Sequence, residues 1–448
     1  MECGNFAIKI IITGNAMYNT LTPLFILGIV GSLQAQTAEW SYEDCVNWAM
    51  EHNISLRQSE LTEQSALASL EGAKAQWIPT LEFGTSHGYA NTPMGQADKN
   101  SYTSSYGFNG SWTLWDGGMR KAEISRAKTD VERSRWATDE LMKDIRVNIL
   151  SHYINILYCR EAVDVNRRLA EVSAQQAERS RQMMESGKIS IVDYQQLKAQ
   201  AERDAYNTVS AEADLASRKL QLSNLLELGL GSKMDIRQVD FDSLMVLDPL
   251  PSLDESYEMA LANDSRLRYD ELSVRMADDD ISAAKAGSSP KISVNAGVGS
   301  GYYSTNTAGW GEQMRRSLNE NIGLTLSIPI LDNKKTKTAV AQAKIAKLNS
   351  EYEIEARRNE IANTLEGWYI DMESARSRYI AAVENEKAAA LSDEYTAERF
   401  AVGYVESTEL LQSHQALSSA RHEVLQAKYM AVLARKMVEF LRTANITL

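Results

Sequence analysis

The chain has 448 residues, room for two or three ordinary domains or one elongated one. Its 47 Lys and Arg face 60 Asp and Glu, a net charge of −13; with no aromatic-plus-basic patch, this excludes a nucleic-acid partner. Only seven prolines interrupt a sequence crowded with Ala, Glu, Gln, Arg and Leu, so long helices are predicted.

The first feature in chain order is an apolar run at 24–33 (LFILGIVGSL), followed by LQAQ. It is too short to span a bilayer and resembles a secretory h-region, which predicts a signal peptide over 1–35, cleaved after Ala35. The true start is Met1 or Met17. A buried N-terminal helix is the competing reading, and the abrupt change to polar sequence at Gln36 argues against it. No small-residue box precedes a cysteine there, so no lipid anchor is expected. Cys3 would leave with the signal. Cys45 and Cys159 show neither metal-ligand spacing nor a disulfide framework, and whether they pair stays open. Beyond residue 35 no apolar run reaches the roughly 18 residues of a membrane helix.

A helix follows over about 41–77 and ends before Pro79, because proline cannot continue it. The next segments alternate. In SYGFNGSWTLWDGG, at 105–118, Tyr106, Phe108, Trp112 and Leu114 fall on one parity, and Ser105, Asn109, Ser111 and Thr113 on the other. A strand turns successive side chains to opposite faces, so strands with one apolar and one polar face are predicted at about 80–89 and 102–115. The first is weaker: Leu81, Phe83 and Tyr89 keep parity, while Thr85 and His87 dilute it. A very long helix is predicted over about 119–186. Ile145, Ile149, Ile156, Cys159 and Val163 stand at coiled-coil spacing, with the smaller Ala170, Ser173, Ala177 and Ser180 beyond. Gly187 interrupts it, and another helix runs to about 228.

The chain then repeats itself. Leu56-Arg57 meets Leu267-Arg268, Pro79 meets Pro290, Asp116 meets Asp332, Tyr153 meets Tyr369 and Gly187 meets Gly403. The extra residues of the second copy fall in the polar loop between its strands, where insertions are tolerated. The chain thus divides into a signal peptide (1–35), a first repeat (36–230), a linker carrying Pro249 and Pro251 (231–252) and a second repeat (253–448). In the second repeat a helix over 253–286 leads to strands at about 291–303 and 321–331. A long helix over about 335–401 follows, with Ile361, Leu365, Trp368, Met372, Ala375 and Tyr379 along its seam, and then a last helix to about 444.

Four strands of about ten residues have the length of tilted membrane-crossing strands. Trp77, Tyr89, Tyr102, Trp112, Trp115, Tyr302 and Tyr303 gather toward the strand ends, as aromatic residues at the membrane interface do. Unpaired backbone in hydrocarbon is costly and the smallest barrels need about eight strands, so four cannot close. Several copies must share one barrel. A helix of about 68 residues runs about 100 Å, long enough to cross an aqueous compartment.

The duplicated helix–strand–strand–helix order, Pro79 and Pro290 at helix-to-strand transitions, Asp116-Gly117-Gly118 at strand-to-helix, and RFAVGYVESTELL at 399–411 together resemble the TolC-like outer-membrane efflux protein family. The resemblance covers about 41–230 and 252–444. It implies a mainly α fold with a membrane β part: a homotrimer in outer-membrane lipid whose twelve strands form one barrel and whose coiled helices form a periplasmic α-barrel. It also implies an exit duct for efflux or type I secretion, working with a periplasmic adaptor protein and an inner-membrane transporter. Gly187, Lys188, Ile189 and Ser190, with Gly403, Tyr404, Val405 and Glu406, are then adaptor-contact tips; Ile189, Tyr404 and Val405 are expected to be exposed there without a core. Glycine merely letting the chain reverse is the competing account of both turns, and the exposed apolar residues favour a binding role. Asp193 and Glu409 match a position where the family places acids at the tunnel's narrow end, two rings of carboxylates able to bind cations. Ser190-x-x-Asp193 is equally a capping box. The family's second acid is Gln196 or Gln412 here.

The competing class is a periplasmic coiled-coil adaptor or scaffold, but no lipoyl-like β segments flank a single hairpin. No nucleophile stands at motif spacing from a base, so neither catalysis nor a cofactor is expected. Gly297-Val298-Gly299-Ser300-Gly301 sits inside a strand and reads as small lumen-facing residues. His414 and His422 lack a third metal ligand and read as solvated surface, and Asp278-Asp279-Asp280 as an exposed helical turn.

Overall fold

The computed structural model describes residues 39–94, 100–232, 234–241, 246–446 and 448. The signal-peptide reading for 1–35 lies outside them. The elements run β1 (Glu39–Trp40), α1 (Tyr42–His52), α2 (Ile54–Ala75), β2 (Thr80–Asn91), β3 (Asn100–Trp115), α3 (Met119–Glu185) and α4 (Ile191–Leu225). After β4 (Asp235–Ile236) come α5 (Leu253–Asn263), α6 (Ser265–Ala286), β5 (Lys291–Tyr303), α7 (Trp310–Arg316), β6 (Asn319–Ser327), α8 (Lys335–Ala401) and α9 (Ser407–Thr443).

Side-chain caps decide where the short helices ahead of the strands begin. Ser41 and Asp44 form a reciprocal capping box at α1. Asn53 then breaks what the sequence reads as one helix over 41–77: its carboxamide oxygen accepts from Leu56 N at 3.1 Å and starts α2. Asp264 does the same at the matching position in 253–286, accepting from Leu267 N at 2.6 Å. In each case a short polar side chain satisfies an orphan amide and lets the axis turn.

The main core lies where α1, α3 and α9 meet the chain between α4 and α5. Ile149, Tyr153, Ile156, Leu222, Leu226, Ile236 and Val246 are fully buried in it. The seam expected along α3, from Ile145 to Val163, is buried, and so are Ile361, Leu365, Met372 and Ala375 on α8, with Trp368 and Tyr379 partly covered. The stretch 231–252 does more than link. β4 pairs in parallel with β1, the Tyr153 hydroxyl donates to Arg237 O at 2.7 Å, and Ile236, Phe241 and Val246 enter the core. Cys45 and Cys159 are both buried and free; burial pushes the Cys45 thiol up to about 12.

The four long strands form one antiparallel sheet in the order β2–β3–β5–β6. The strand expected over 321–331 runs Asn319–Ser327 instead. Pro329 has no amide to donate to a ladder, so 328–331 leave the sheet. The polar loop before β6 holds α7. Its Gln313 accepts from Tyr303 N at 3.0 Å and donates to Tyr303 O at 3.2 Å, while Ser317 Oγ accepts from Gly301 N at 3.2 Å. These side chains stand in for the strand partner that β5 lacks beyond Gly299.

Candidate channel surfaces: two sheet faces and two hairpin tips

Register separates the sheet's faces. Phe83 lies opposite Phe108 and Phe108 opposite Val298; Trp112 lies opposite Val294 and Val294 opposite Leu324. The Phe83 and Phe108 rings sit 4.9 Å apart, and this face is bare: Ile322 is 82% exposed. Asn109, Ser111, Ser293, Asn295, Asn321 and Thr325 share the other face with several glycines. Gly107 and Gly299 meet across it, where an added Cβ at Gly107 would lie 3.2 Å from Val298 O. Both outer strands, β2 and β6, offer an unpaired edge within this chain.

The aromatic residues fall at two levels. Trp77, Trp112 and Trp115 stand at the helix end, where Trp112 Nε1 donates to Trp77 O at 2.9 Å. Tyr89, Tyr102 and Tyr302 stand at the loop end, Tyr89 opposite Tyr102 and Tyr302 opposite Ser104 on the apolar face. Tyr303 lies opposite Thr103, on the polar face.

At the far end of the helices both hairpins turn through a left-handed glycine, Gly187 at φ 74° and Gly403 at φ 85°. Each turn closes with the same two bonds: Gly187 N to Met184 O and Lys188 N to Met183 O, then Gly403 N to Phe400 O and Tyr404 N to Arg399 O. The paired bonds are those of a Schellman motif. The tip does have a core, contrary to the sequence reading. Leu197, Phe400 and Leu410 are buried together, and Ile189 and Val405 pack partly against them. Those two are therefore tip-core residues. The exposed apolar groups are Tyr404 (79%), Ile191 (64%), Val192 and Val402. Lys188, Ser190 and Glu406 are exposed.

Asp193 has two jobs. It closes the capping box with Ser190, whose Oγ accepts from Asp193 N at 3.1 Å, and it accepts from Ser407 Oγ of the other hairpin at 2.6 Å. The Ser407 and Ser190 hydrogen bonds hold its carboxyl below the usual aspartate value. Gln196 also reaches this point, 2.8 Å from Ser407 Oγ. Glu409 is exposed and faces Arg399 at 3.5 Å.

His414 is not solvated surface. It is 2% exposed on α9, between Asp204 of α4 and Asp393 of α8. His422 is half-buried, 3.3 Å from Asn166 Oδ1. The signal was there in the spacing: Leu410, His414 and Leu417 follow one seam, as do Leu197 and Asp204, and Asp393 and Phe400. Among the described residues no helix is long and apolar enough to cross a membrane, and no group of three or more His, Cys, Asp or Glu is arranged to hold a metal.

Known proteins share this arrangement. The Outer membrane efflux protein family model matches residues 46–227 and 256–440. Outer membrane protein TolC of Vibrio cholerae is 22% identical over 430 residues, 92% of this chain and 93% of that one. TolC of Escherichia coli is 20% identical, over 84% of this chain and 77% of its own length. The alkaline protease secretion protein AprF of Pseudomonas aeruginosa is 23% identical, over 68% and 62%. Among solved structures, CusC superposes with a TM-score of 0.75 at 18% identity, covering 89% of this chain and 91% of that one. The outer membrane protein VceC of Vibrio cholerae gives 0.73 at 12% identity, covering 90% and 96%. Because the family model spans both helix–strand–helix halves, the chain belongs to the outer membrane efflux protein family and is an outer-membrane channel for efflux or secretion.

Proposed function

We propose that this channel works as a homotrimer, each copy lending four strands to a twelve-stranded barrel and its long helices to a periplasmic tunnel. The observation that carries this reading is the sheet itself: an exposed apolar face bounded by two unpaired edges, β2 and β6. In lipid such edges must be paired, and the partner that fits is another copy of the same sheet. The aromatic residues at the ends of its apolar face then lie at the membrane interfaces, while Tyr303, on the polar face, turns to the lumen. The chain reads as a signal peptide (1–35) and two repeats (36–230 and 253–448) joined by 231–252.

The hairpin tips form the inner end. Exposed Tyr404, Ile191, Val192 and Val402 offer an apolar patch to a periplasmic adaptor, which couples the duct to an inner-membrane transporter. Gly187 and Gly403 shape these tips, with Lys188, Ser190 and Glu406 on their surface. Asp193 and Glu409, repeated by the trimer, make carboxylate rings that favour cations at the constriction.

Detergent-extracted protein should run on gels as a heat-sensitive oligomer and form steps in planar bilayers. A processed chain soluble as a monomer in plain buffer would end the reading. Asp193→Asn and Glu409→Gln should lower cation preference, measured as reversal potential in a salt gradient; unchanged selectivity in both would discard the gate assignment.

A further inference from the structure

Above the tip core lies a buried polar site that the channel reading does not use. His414 Nε2 is 3.1 Å from Asp204 Oδ2, which accepts its proton. The second Asp204 oxygen accepts from Gln200 Nε2 at 2.9 Å. On the other side of the ring, His414 Nδ1 lies 4.0 Å from Asp393 Oδ2, while Asp393 Oδ1 accepts from Ser413 Oγ at 2.9 Å. Among the described residues Nδ1 is a buried nitrogen without a hydrogen-bond partner. The charged groups facing the ring are Asp204 from α4 and Asp393 from α8.

The geometry leaves one ring nitrogen, Nδ1, without a partner beside a carboxylate. A neutral imidazole that donates through Nε2 carries a bare lone pair on Nδ1, here turned toward a carboxylate. A second proton would convert that opposition into a charge-assisted contact, and the ring would then bridge α4 of the first hairpin to α8 and α9 of the second. We infer that His414 is a proton-dependent tie between the two hairpins, which tightens the inner end of the duct in acid and slackens it in alkali. The tie rests on the reading of the tips as that inner end. It lies about two helical turns in from Ser407, where Asp193 makes the other contact between hairpins.

Full-length protein in planar bilayers tests this. Between about pH 8 and about pH 5 the native channel should spend about tenfold more time in its low-conductance state. His414→Gln keeps an N–H for Asp204 but cannot gain a proton, and should abolish that response. Asp393→Asn can donate its amide N–H to an unprotonated Nδ1 or accept through its amide oxygen from a protonated one, and should hold the low-conductance state throughout. An unaltered pH response in His414→Gln overturns the tie; if that variant does not assemble, a native-like response in Asp393→Asn does so. Amide exchange over 191–204 and 407–416, corrected for the intrinsic effect of pH, reads the tie without current. Protection that rises in acid in native protein but not in the variants supports the tie even if no channel steps appear, whereas protection indifferent to His414 overturns it.

Discussion

The two hairpin tips share a backbone and differ in their chemistry. At both, a glycine in the left-handed region closes a Schellman turn with the same pair of amide–carbonyl bonds. At the first, Ser190 and Asp193 cap the returning helix reciprocally. At the second, Glu406 occupies the cap position with no side-chain bond, and Glu409 turns outward to Arg399. The strand-to-helix turns show the same contrast. Gly117 and Gly118 take positive φ in one half, where Asn333 and Lys334 are held there in the other. Asp116 and Asp332 each accept an amide from the turn or first helical residues beyond. Duplication kept the backbone geometry, which depends on a few turn residues, and let the polar side chains diverge.

The largest effect should come from what both tips share. Phe400→Ala removes the aromatic member of their common core and should destabilise the tip by about 3 kcal/mol. Faster local opening of both hairpins in amide exchange would show it; loss confined to 399–411 would mean that the tips fold separately. Next, Gly187→Ala and Gly403→Ala should each cost about 1–2 kcal/mol, because either forces a side chain into the left-handed region. Equal losses in thermal unfolding would support one shared turn geometry, and a clear inequality would break the comparison.

The smallest effect separates the tips. Ser190→Ala removes one cap and should cost about 1 kcal/mol, while Glu406→Ala should cost nothing measurable. The pH dependence follows from Asp193, whose folded-state carboxyl is depressed by Ser407 and Ser190. Its ionised form carries those bonds, so its contribution is complete above the ordinary aspartate range and is lost as pH falls through the depressed value. Acid should therefore loosen the first tip in native protein but not in Asp193→Asn, as read by amide exchange at 190–197. The tie at His414 acts in the opposite sense, so Asp193→Asn and His414→Gln separate the two effects.

Local signals carried the elements. Alternation marked the strands because sheet faces follow a period of two, and the seam from Ile145 to Val163 marked a packed helix face. Glycine at 187 and 403 marked the reversals because few other residues adopt positive φ cheaply. The caps at Asn53 and Asp264 are equally local signals. What the tertiary structure decided is which surfaces meet. Ile189 and Val405 became core only because two hairpins distant in sequence lie side by side, and the same placement brought Ser407 to Asp193 and His414 between two aspartates. The stretch around Ile236 and Val246 joined the core for the same reason. Periodicity states which face of a helix is buried; the partner on the other side of that face depends on how helices far apart in sequence are docked, and no local pattern carries it.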